Sequence, residues 1–160
     1  MSGTGERQRR ADNVFSYTRS PFGDTGFFYA LVDKDDRYHD ACHELFREAC
    51  QQNLRIVTTN FVVAESHALI LSRLGYQTAA DWLEAVEDLA WIERVIDTDE
   101  HRAKEIIRTY QDKDFSYTDT TCFAVMERLG MTIVLSVDEH FVQYGKFWVL
   151  PLQGRQLLVS

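Results

Sequence analysis

Helical and extended patterns alternate along this chain, and that alternation restricts the fold more than any other feature of the sequence. Leu54–Thr59 and Thr132–Val137 are short runs dense in β-branched residues, as buried parallel strands are. Asp36–Gln52 instead carries apolar residues at steps of three and four, which is the pattern of an amphipathic helix. Parallel strands need crossover connections, so the sequence predicts an α/β domain whose mostly parallel central sheet is covered on both faces.

The remaining segments extend the same alternation. Residues 1–22 are polar and show no strong period, so we interpret them as an irregular N-terminal extension and residues 23–160 as the folded domain. Pro21 and Gly23 argue against a regular central strand at the junction. The other predicted elements are a first strand beginning within Val14–Tyr17, a hairpin of helices over Asn60–Gly75 and Ala79–Leu89, a strand over Trp91–Ile96, helices starting at Asp97 and at Ser116 or Thr118, and a strand over Phe147–Leu150.

The amino-acid composition limits the classes of protein to which this chain can belong. The chain of 160 residues is 45% hydrophobic and has only 2 Pro and 8 Gly, as expected for one globular domain. Its 17 Lys and Arg face 25 Asp and Glu, and the net charge of −8 argues against broad electrostatic adhesion to nucleic acid or anionic lipid. The longest apolar stretch, Phe61–Leu71, is far shorter than a membrane span, and no secretory signal is readable.

The cysteines indicate a compartment. Cys42, Cys50 and Cys122 are odd in number and have no metal-ligand spacing. Cys42 and Cys50 lie eight residues apart on one helical pattern. We therefore expect reduced thiols in the core of a cytoplasmic protein.

Four acidic residues stand where an open parallel sheet binds ligands. Ligands bind beyond the carboxyl ends of the strands because loops and helix N-termini converge there. Asp24 ends the first predicted strand, and Asp138 ends a later one. Glu65 lies in the first turns of the helix that follows the second strand, and Asp119 opens another helix. The four side chains are therefore expected to meet at one edge of the sheet.

Ordinary structural roles compete for three of these acids. Asp119 and Asp138 are equally well placed to cap helices, and Asp24 beside Gly23 suits a turn. Glu65 is different because its neighbours are apolar, and a buried carboxylate without water, a partner or a cation is very costly. The helix around it is apolar on nearly its whole circumference, so we expect that helix to be buried.

Converging carboxylates need compensation. Two like charges about 4 Å apart repel by roughly 4 kcal/mol at an effective dielectric of about 20. A divalent cation removes that repulsion; oxygen ligands favour Mg²⁺ or Mn²⁺, and the chain has no Cys and His cluster for zinc. Such a site activates water for attack on phosphorus, which predicts phosphodiester hydrolysis. Arg19, Arg37 and Lys146 lie near the acids in sequence and are weak candidates for contacting phosphate.

The motifs around the acids resemble those of a known family. They are Asp24–Leu31, Thr58–Glu65, Ser116–Asp119 and Ser136–Phe141. Each alone is weak, but the four in this order are similar to the motifs of PIN-domain ribonucleases over about residues 24–150.

The resemblance implies a magnesium- or manganese-dependent endoribonuclease on a PIN-like α/β/α sandwich. It implies that Asp24, Glu65 and Asp119 are the principal catalytic and metal-binding acids and that Asp138 completes the set. The polar residues expected to support them are Thr25, Asn60, Thr118 and Ser136, whereas His140 is expected to be structural. The single-domain size is similar to that of VapC-type toxins, which implies an RNA substrate, a homodimer and a small antitoxin partner.

Other functions stay open at this stage. A catalytically inactive PIN-like scaffold would bind RNA or protein without cutting it. A doubly wound phosphatase or phospho-acceptor domain would use one Asp as nucleophile, but the sequence lacks the second acid expected in the motif of such an Asp. Apolar residues around Leu69, Leu71 and Trp82 would suit a partner or a second copy, but core packing is the simpler explanation for each.

Overall fold

Within residues 15–157, which the computed structural model describes, five parallel strands form a central sheet and seven α-helices pack around it. The strands are β1 (Phe22–Gly23), β2 (Ile56–Thr59), β3 (Ala90–Glu93), β4 (Ile133–Ser136) and β5 (Trp148–Pro151). The helices are α1 (Thr25–Val32), α2 (His39–Gln51), α3 (Asn60–Leu74), α4 (Tyr76–Leu89), α5 (Asp97–Thr109), α6 (Tyr117–Leu129) and α7 (Glu139–Tyr144). The predicted α/β class and parallel sheet are confirmed.

The shortest strand lies at the centre of the sheet, whose order is β3-β2-β1-β4-β5. Phe22 of β1 stands opposite Val57 of β2 and opposite Val134 of β4. Pro21 precedes the strand, and its carbonyl accepts the N–H of Val57 at 2.9 Å. Gly23 permits close packing, because a Cβ there would lie 2.9 Å from the Phe28 ring. The expectation that Pro21 and Gly23 disfavour a regular central strand is therefore wrong.

The first strand also starts later than predicted. Tyr17–Arg19 form a 3-10 turn, and Val14 lies outside the described residues. The predicted strand within Val14–Tyr17 is therefore wrong over its described part. Pairing with two neighbours, rather than local periodicity, makes Phe22–Gly23 a strand.

The helical hairpin α3–α4 turns at Gly75, whose φ of 93° is favourable only for glycine. α4 begins at Tyr76 rather than Ala79. α5 begins at Asp97 as predicted, with Ile96 at the capping position. β3 ends at Glu93, earlier than the predicted strand.

Burial in the hairpin corrects two expectations. Along α3, Val62, Ser66 and Ile70 are buried, but Leu71 is exposed, so the helix presents one side to solvent. The prediction that α3 is buried all round is therefore wrong. Trp82 of α4 is buried and packs edge-on against the Phe28 ring at 5.9 Å, so it belongs to the core and not to a partner surface.

The cysteines divide between core and surface. Cys42 and Cys122 are buried free thiols, whereas Cys50 is exposed. Eight residues make about 2.2 turns of helix, so Cys50 is rotated by roughly 80° from Cys42 around α2. The expectation that both lie in the core is wrong for Cys50. None of the helices in residues 15–157 has the length and apolar character needed to cross a bilayer.

Gly26 sets the distance between α1 and the end of β4. A Cβ at this position would lie 2.5 Å from Cγ2 of Val137. We expect Gly26→Ala to lower the free energy of unfolding by about 1–3 kcal/mol, because the overpacked contact forces a backbone shift. Denaturant unfolding measures the change. Val137→Ala added to Gly26→Ala should recover part of the loss, and a double variant no more stable than Gly26→Ala would contradict the steric explanation.

Candidate metal-binding active site

Strand ends and helix starts bring the first acids together. Asp24 follows β1, and its backbone N–H donates to the carbonyl of Leu135 in β4 at 3.0 Å. Its carbonyl accepts the N–H of Phe28, so the same residue begins α1. The side chain is only 3% exposed. The central strand therefore delivers a buried carboxyl group to the carboxyl edge of the sheet.

Ser136 links Asp24 to Asp138. The buried Ser136 hydroxyl donates to Oδ2 of Asp24 at 3.1 Å and accepts the backbone N–H of Asp138 at 3.0 Å. Asp138 in turn caps α7, since its Oδ1 accepts the N–H of His140 at 2.9 Å. Both the capping role and the convergence expected from the sequence thus hold for Asp138.

Asp119 is fixed by a reciprocal cap at the start of α6. Its N–H donates to Oγ of Ser116, and its Oδ2 accepts the N–H of Ser116, both at 3.0 Å. Ser116 is therefore the cap, and Thr118 lies inside the helix. Asp119 is 6% exposed, so the cap holds a nearly buried carboxylate in one orientation.

His140 joins the acids, although the sequence suggested only a structural role for it. Its Nδ1 lies 2.8 Å from Oδ2 of Asp119 and 3.4 Å from Oδ1 of Asp138. Ligand atoms of the three residues lie within 4.8 Å of one another. The available signal was the spacing: His140 follows Asp138 by two residues at a helix start, which turns its ring back toward the capping carboxylate.

Glu65 approaches the cluster from α3 and is exposed. Its negative charge contributes to the raised pKa of Asp24, so its carboxylate lies near that of Asp24. The side chain reaches water because α3 is only partly buried. This agrees with the sequence argument that Glu65 must reach water, a partner or a cation, whereas the expectation that the helix around it is buried is wrong.

The electrostatics of the cluster are unfavourable without a cation. Burial raises the pKa of Asp24 to about 8, and the charges of Asp119, Asp138 and Glu65 add to this effect. Burial also raises the pKa of Asp119, although the Ser116 N–H and His140 oppose the shift. Within residues 15–157, His140 is the only basic side chain that pairs with any of the four acids.

The fold and motif order can now be compared with known proteins. The family model of the PIN domain matches residues 22–147. The chain belongs to the PIN-domain family. Its relatives include the 23S rRNA-specific endonuclease VapC20 of Mycobacterium tuberculosis, in strains CDC 1551 and H37Rv, which is 28% identical over 131 residues, or 81% of this chain and 98% of the relative.

Solved structures agree with this assignment. Mycobacterium tuberculosis VapC20, described as a sarcin–ricin loop cleaving toxin, matches this PIN domain with a TM-score of 0.71 and 26% identity, over 79% of this chain and 96% of that one. PAE2754 from Pyrobaculum aerophilum matches with a TM-score of 0.58 and 15% identity, over 86% and 87% of the two chains, which shows the fold alone. The predictions of a PIN-like fold and of membership in the PIN-domain family are confirmed.

The donor set of this PIN domain fits a hard divalent cation. Carboxylate oxygens dominate it, and oxygen is the ligand that Mg²⁺ and Mn²⁺ prefer. Asp24 is too buried to stay charged beside three other acids without a neighbouring positive charge. Asp119, Asp138 and His140 form a potential metal-binding group.

The predicted supporting residues have different surroundings in this PIN domain. Ser136 touches the acids directly, as described above. The Thr25 hydroxyl is buried beside Asp24 and has no hydrogen-bond partner in the described part of the chain, residues 15–157. Asn60 accepts the N–H of Val95 at 2.9 Å and so connects α3 to the segment after β3. Thr118 is half-buried and lies one residue before Asp119.

The basic residues proposed for phosphate contact are also dispersed. Arg19 is exposed. The guanidinium of Arg37 lies over the Tyr38 ring at 4.8 Å. Lys146 lies 3.5 Å from Glu127, at the far end of α7 from Asp138. These contacts give none of the three a direct link to the four acids.

Proposed function

We propose that this PIN domain is a Mg²⁺- or Mn²⁺-dependent endoribonuclease toxin that cleaves a phosphodiester bond in large-subunit ribosomal RNA. The observation that carries the proposal is the convergence of Asp24, Asp119, Asp138 and Glu65 at one edge of the sheet without a Lys or Arg partner among residues 15–157. Such a group costs stability unless it binds a cation.

The four acids have different roles in binding the cation. Asp24, Glu65 and Asp119 are the principal catalytic and metal-binding residues, and Asp138 completes the set. When bound, the cation supplies the positive charge that the phosphodiester and the attacking water require. The protein supplies a fixed array of oxygens, which avoids reorganisation during the reaction.

Neighbouring side chains hold that array in place. Ser136 orients the Asp24 carboxylate by donating to its Oδ2, and Ser116 fixes Asp119 through the reciprocal cap. His140 contacts the same Oδ2 of Asp119. Each contact uses one lone pair of a carboxylate oxygen and leaves others free for a ligand. We therefore assign Ser116, Ser136 and His140 to positioning roles.

The relatives guide the choice of substrate and partners. VapC20 is described as specific for 23S rRNA and as cleaving the sarcin–ricin loop. We infer that this chain acts on a structured loop of the same class, as a cytoplasmic toxin that forms a homodimer and is held inactive by a small antitoxin protein. An acidic nuclease acts on a polyanion when the cation supplies local positive charge, which reconciles the net charge of −8 with an RNA substrate.

Asp119→Asn tests the proposal most directly. The amide oxygen of Asn still accepts the Ser116 N–H, so we expect the fold to persist. Cleavage should fall by at least about a hundredfold, because even residues that only orient metal ligands cost 10- to 100-fold when removed. The assay follows a hairpin RNA carrying the sarcin–ricin loop, with Mg²⁺, with Mn²⁺ and with chelator.

Asp114→Asn serves as the matched control, because Asp114 is exposed in the loop just before α6. It should cleave like the wild type. Cleavage that persists in chelator, or in Asp119→Asn, would contradict the proposal. Tight RNA binding by the wild type with no cleavage in either metal would instead favour the non-cutting scaffold.

A further inference from the structure

Two aromatic side chains flank the acidic edge of the sheet and take no part in the core. Phe61 lies one helical turn before Glu65, so the two residues share a face of α3. Tyr117 is the first residue of α6, in the turn that carries Asp119. The two rings meet edge-to-face with centroids 5.8 Å apart. They therefore connect the two helices that deliver Glu65 and Asp119.

The Tyr117 ring is both exposed and held in place. It is 37% exposed, whereas Phe61 is half-buried beneath it. Its hydroxyl donates to Oε1 of Glu100 in α5 at 2.7 Å. The edge contact and the hydrogen bond restrict both side-chain torsions of Tyr117. Little side-chain entropy is therefore lost when a ligand stacks on the ring.

The negative charge around the two rings determines which part of an RNA can contact them. Glu65 and Glu100 lie beside the two rings, and both repel phosphates. Bases carry no charge and stack on aromatic faces, which contributes to binding without any cation. Proteins that recognise specific RNA sequences commonly splay an unpaired base onto such a ring.

We propose that Tyr117, supported by Phe61 and Glu100, stacks with an unpaired base next to the phosphodiester that is cut. This inference rests on the proposed ribonuclease function and adds the group that positions the RNA strand. Loss of the ring should weaken RNA binding and leave the chemical step intact, because the carboxylates are untouched.

The test compares four variants on the sarcin–ricin hairpin. Tyr117→Ala should raise KM by about 5- to 100-fold with little change in kcat, as expected for one lost stacking contact. Tyr117→Phe keeps the ring and should stay close to wild type. Tyr117→Leu keeps apolar packing against Phe61 but lacks the aromatic face, so it should behave like Tyr117→Ala. Trp148→Ala is the matched control.

Trp148 is a demanding control because it is more exposed than Tyr117, at 54%. It pairs with Ile133 at the start of β4, at the opposite end of the sheet from the acids. Its removal should leave KM unchanged. An equal rise in KM for Trp148→Ala, or a wild-type KM for Tyr117→Leu, would overturn the stacking inference.

Equilibrium binding of the same hairpin in chelator separates this inference from the proposed function. Tyr117→Ala should weaken binding by a factor that stays constant as salt is raised, because stacking releases no counterions. Absence of binding by the wild type, or equal binding by Tyr117→Ala, would overturn the inference. Binding with the expected Tyr117 dependence but without cleavage in any metal would overturn the proposed function alone.

Discussion

Asp24→Asn should make the metal-free protein more stable while abolishing its cleavage of RNA. The wild-type carboxyl group is buried at the centre of the sheet edge, and its pKa is raised to about 8 by burial and by three neighbouring acids. At pH 8, ionisation in the folded state costs on the order of 5 kcal/mol relative to the unfolded chain. An Asn side chain removes that cost, and its amide oxygen still accepts the hydroxyl of Ser136.

The pH dependence follows from the direction of the shift. Between about pH 4 and pH 8 the folded state keeps a proton on Asp24 that the unfolded state loses, so the wild type becomes less stable as pH rises through this window. The advantage of Asp24→Asn should therefore be large at pH 8 and small near pH 4.5. Urea unfolding in chelator at both values measures it.

Two comparisons make this prediction specific. Asp35→Asn changes an exposed carboxylate in the turn after α1 and should leave stability within about 0.5 kcal/mol of wild type. Saturating Mn²⁺ should reverse the order, since only the wild type gains the free energy of binding the ion. If Asp24→Asn is no more stable than wild type at pH 8 in chelator, burial and the neighbouring acids do not destabilise the charged form of Asp24 as the structure indicates.

Arg128→Ala should lower the free energy of unfolding by about 3–5 kcal/mol, the usual cost of removing one partner from a buried ion pair. The Arg128 guanidinium binds Asp99 with two hydrogen bonds, from Nε to Oδ1 at 2.8 Å and from Nη2 to Oδ2 at 3.0 Å. Asp99 is 2% exposed and, of the donors in residues 15–157, would keep only the N–H of Ile96. The melting temperature should fall by roughly 10 °C.

An exposed ion pair provides the matched control. Arg47 and Glu44 lie 2.9 Å apart on α2 with more than half of each side chain exposed, so Arg47→Ala should cost less than about 0.5 kcal/mol. Adding Asp99→Asn to Arg128→Ala should recover part of the stability, because the unpaired buried charge disappears. A double variant less stable than Arg128→Ala would show that the charge of Asp99 is not the source of the loss.

These two predictions describe opposite uses of buried acids. Asp99 has an Arg partner and stabilises the packing of α5 on α6. Among residues 15–157, Asp24 has no cationic partner, and its charged form lowers the stability of the free protein. That difference separates the acid with a structural role from the acid that we assign to metal binding.

Much of the site could be predicted from the sequence because parallel strands end at a common edge. Acids that follow strands or open helices were therefore expected to converge, and the structure brings Asp24, Asp119 and Asp138 together. The periodicity and residue types of short segments also predicted β2, β4 and most of the helices. These features depend on residues that are close together in the chain, so the sequence alone is enough to predict them.

Other features depend on contacts between distant segments. His140 reaches Asp119 across 21 positions, and Arg128 reaches Asp99 across 29. The central strand has only two residues, and it exists because β2 and β4 pair with it on either side. No periodicity within the chain encodes such pairings.

The sequence by itself determined the class of fold, the order of the motifs and the placement of acids at strand ends, since these depend on local periodicity and on the direction of parallel strands. Only the tertiary structure decided which strand is central, which side of α3 faces water, and that His140 contacts the acids. The physical reason is that burial and long-range hydrogen bonds are set by how the elements pack, and packing joins residues that the order of the chain keeps far apart.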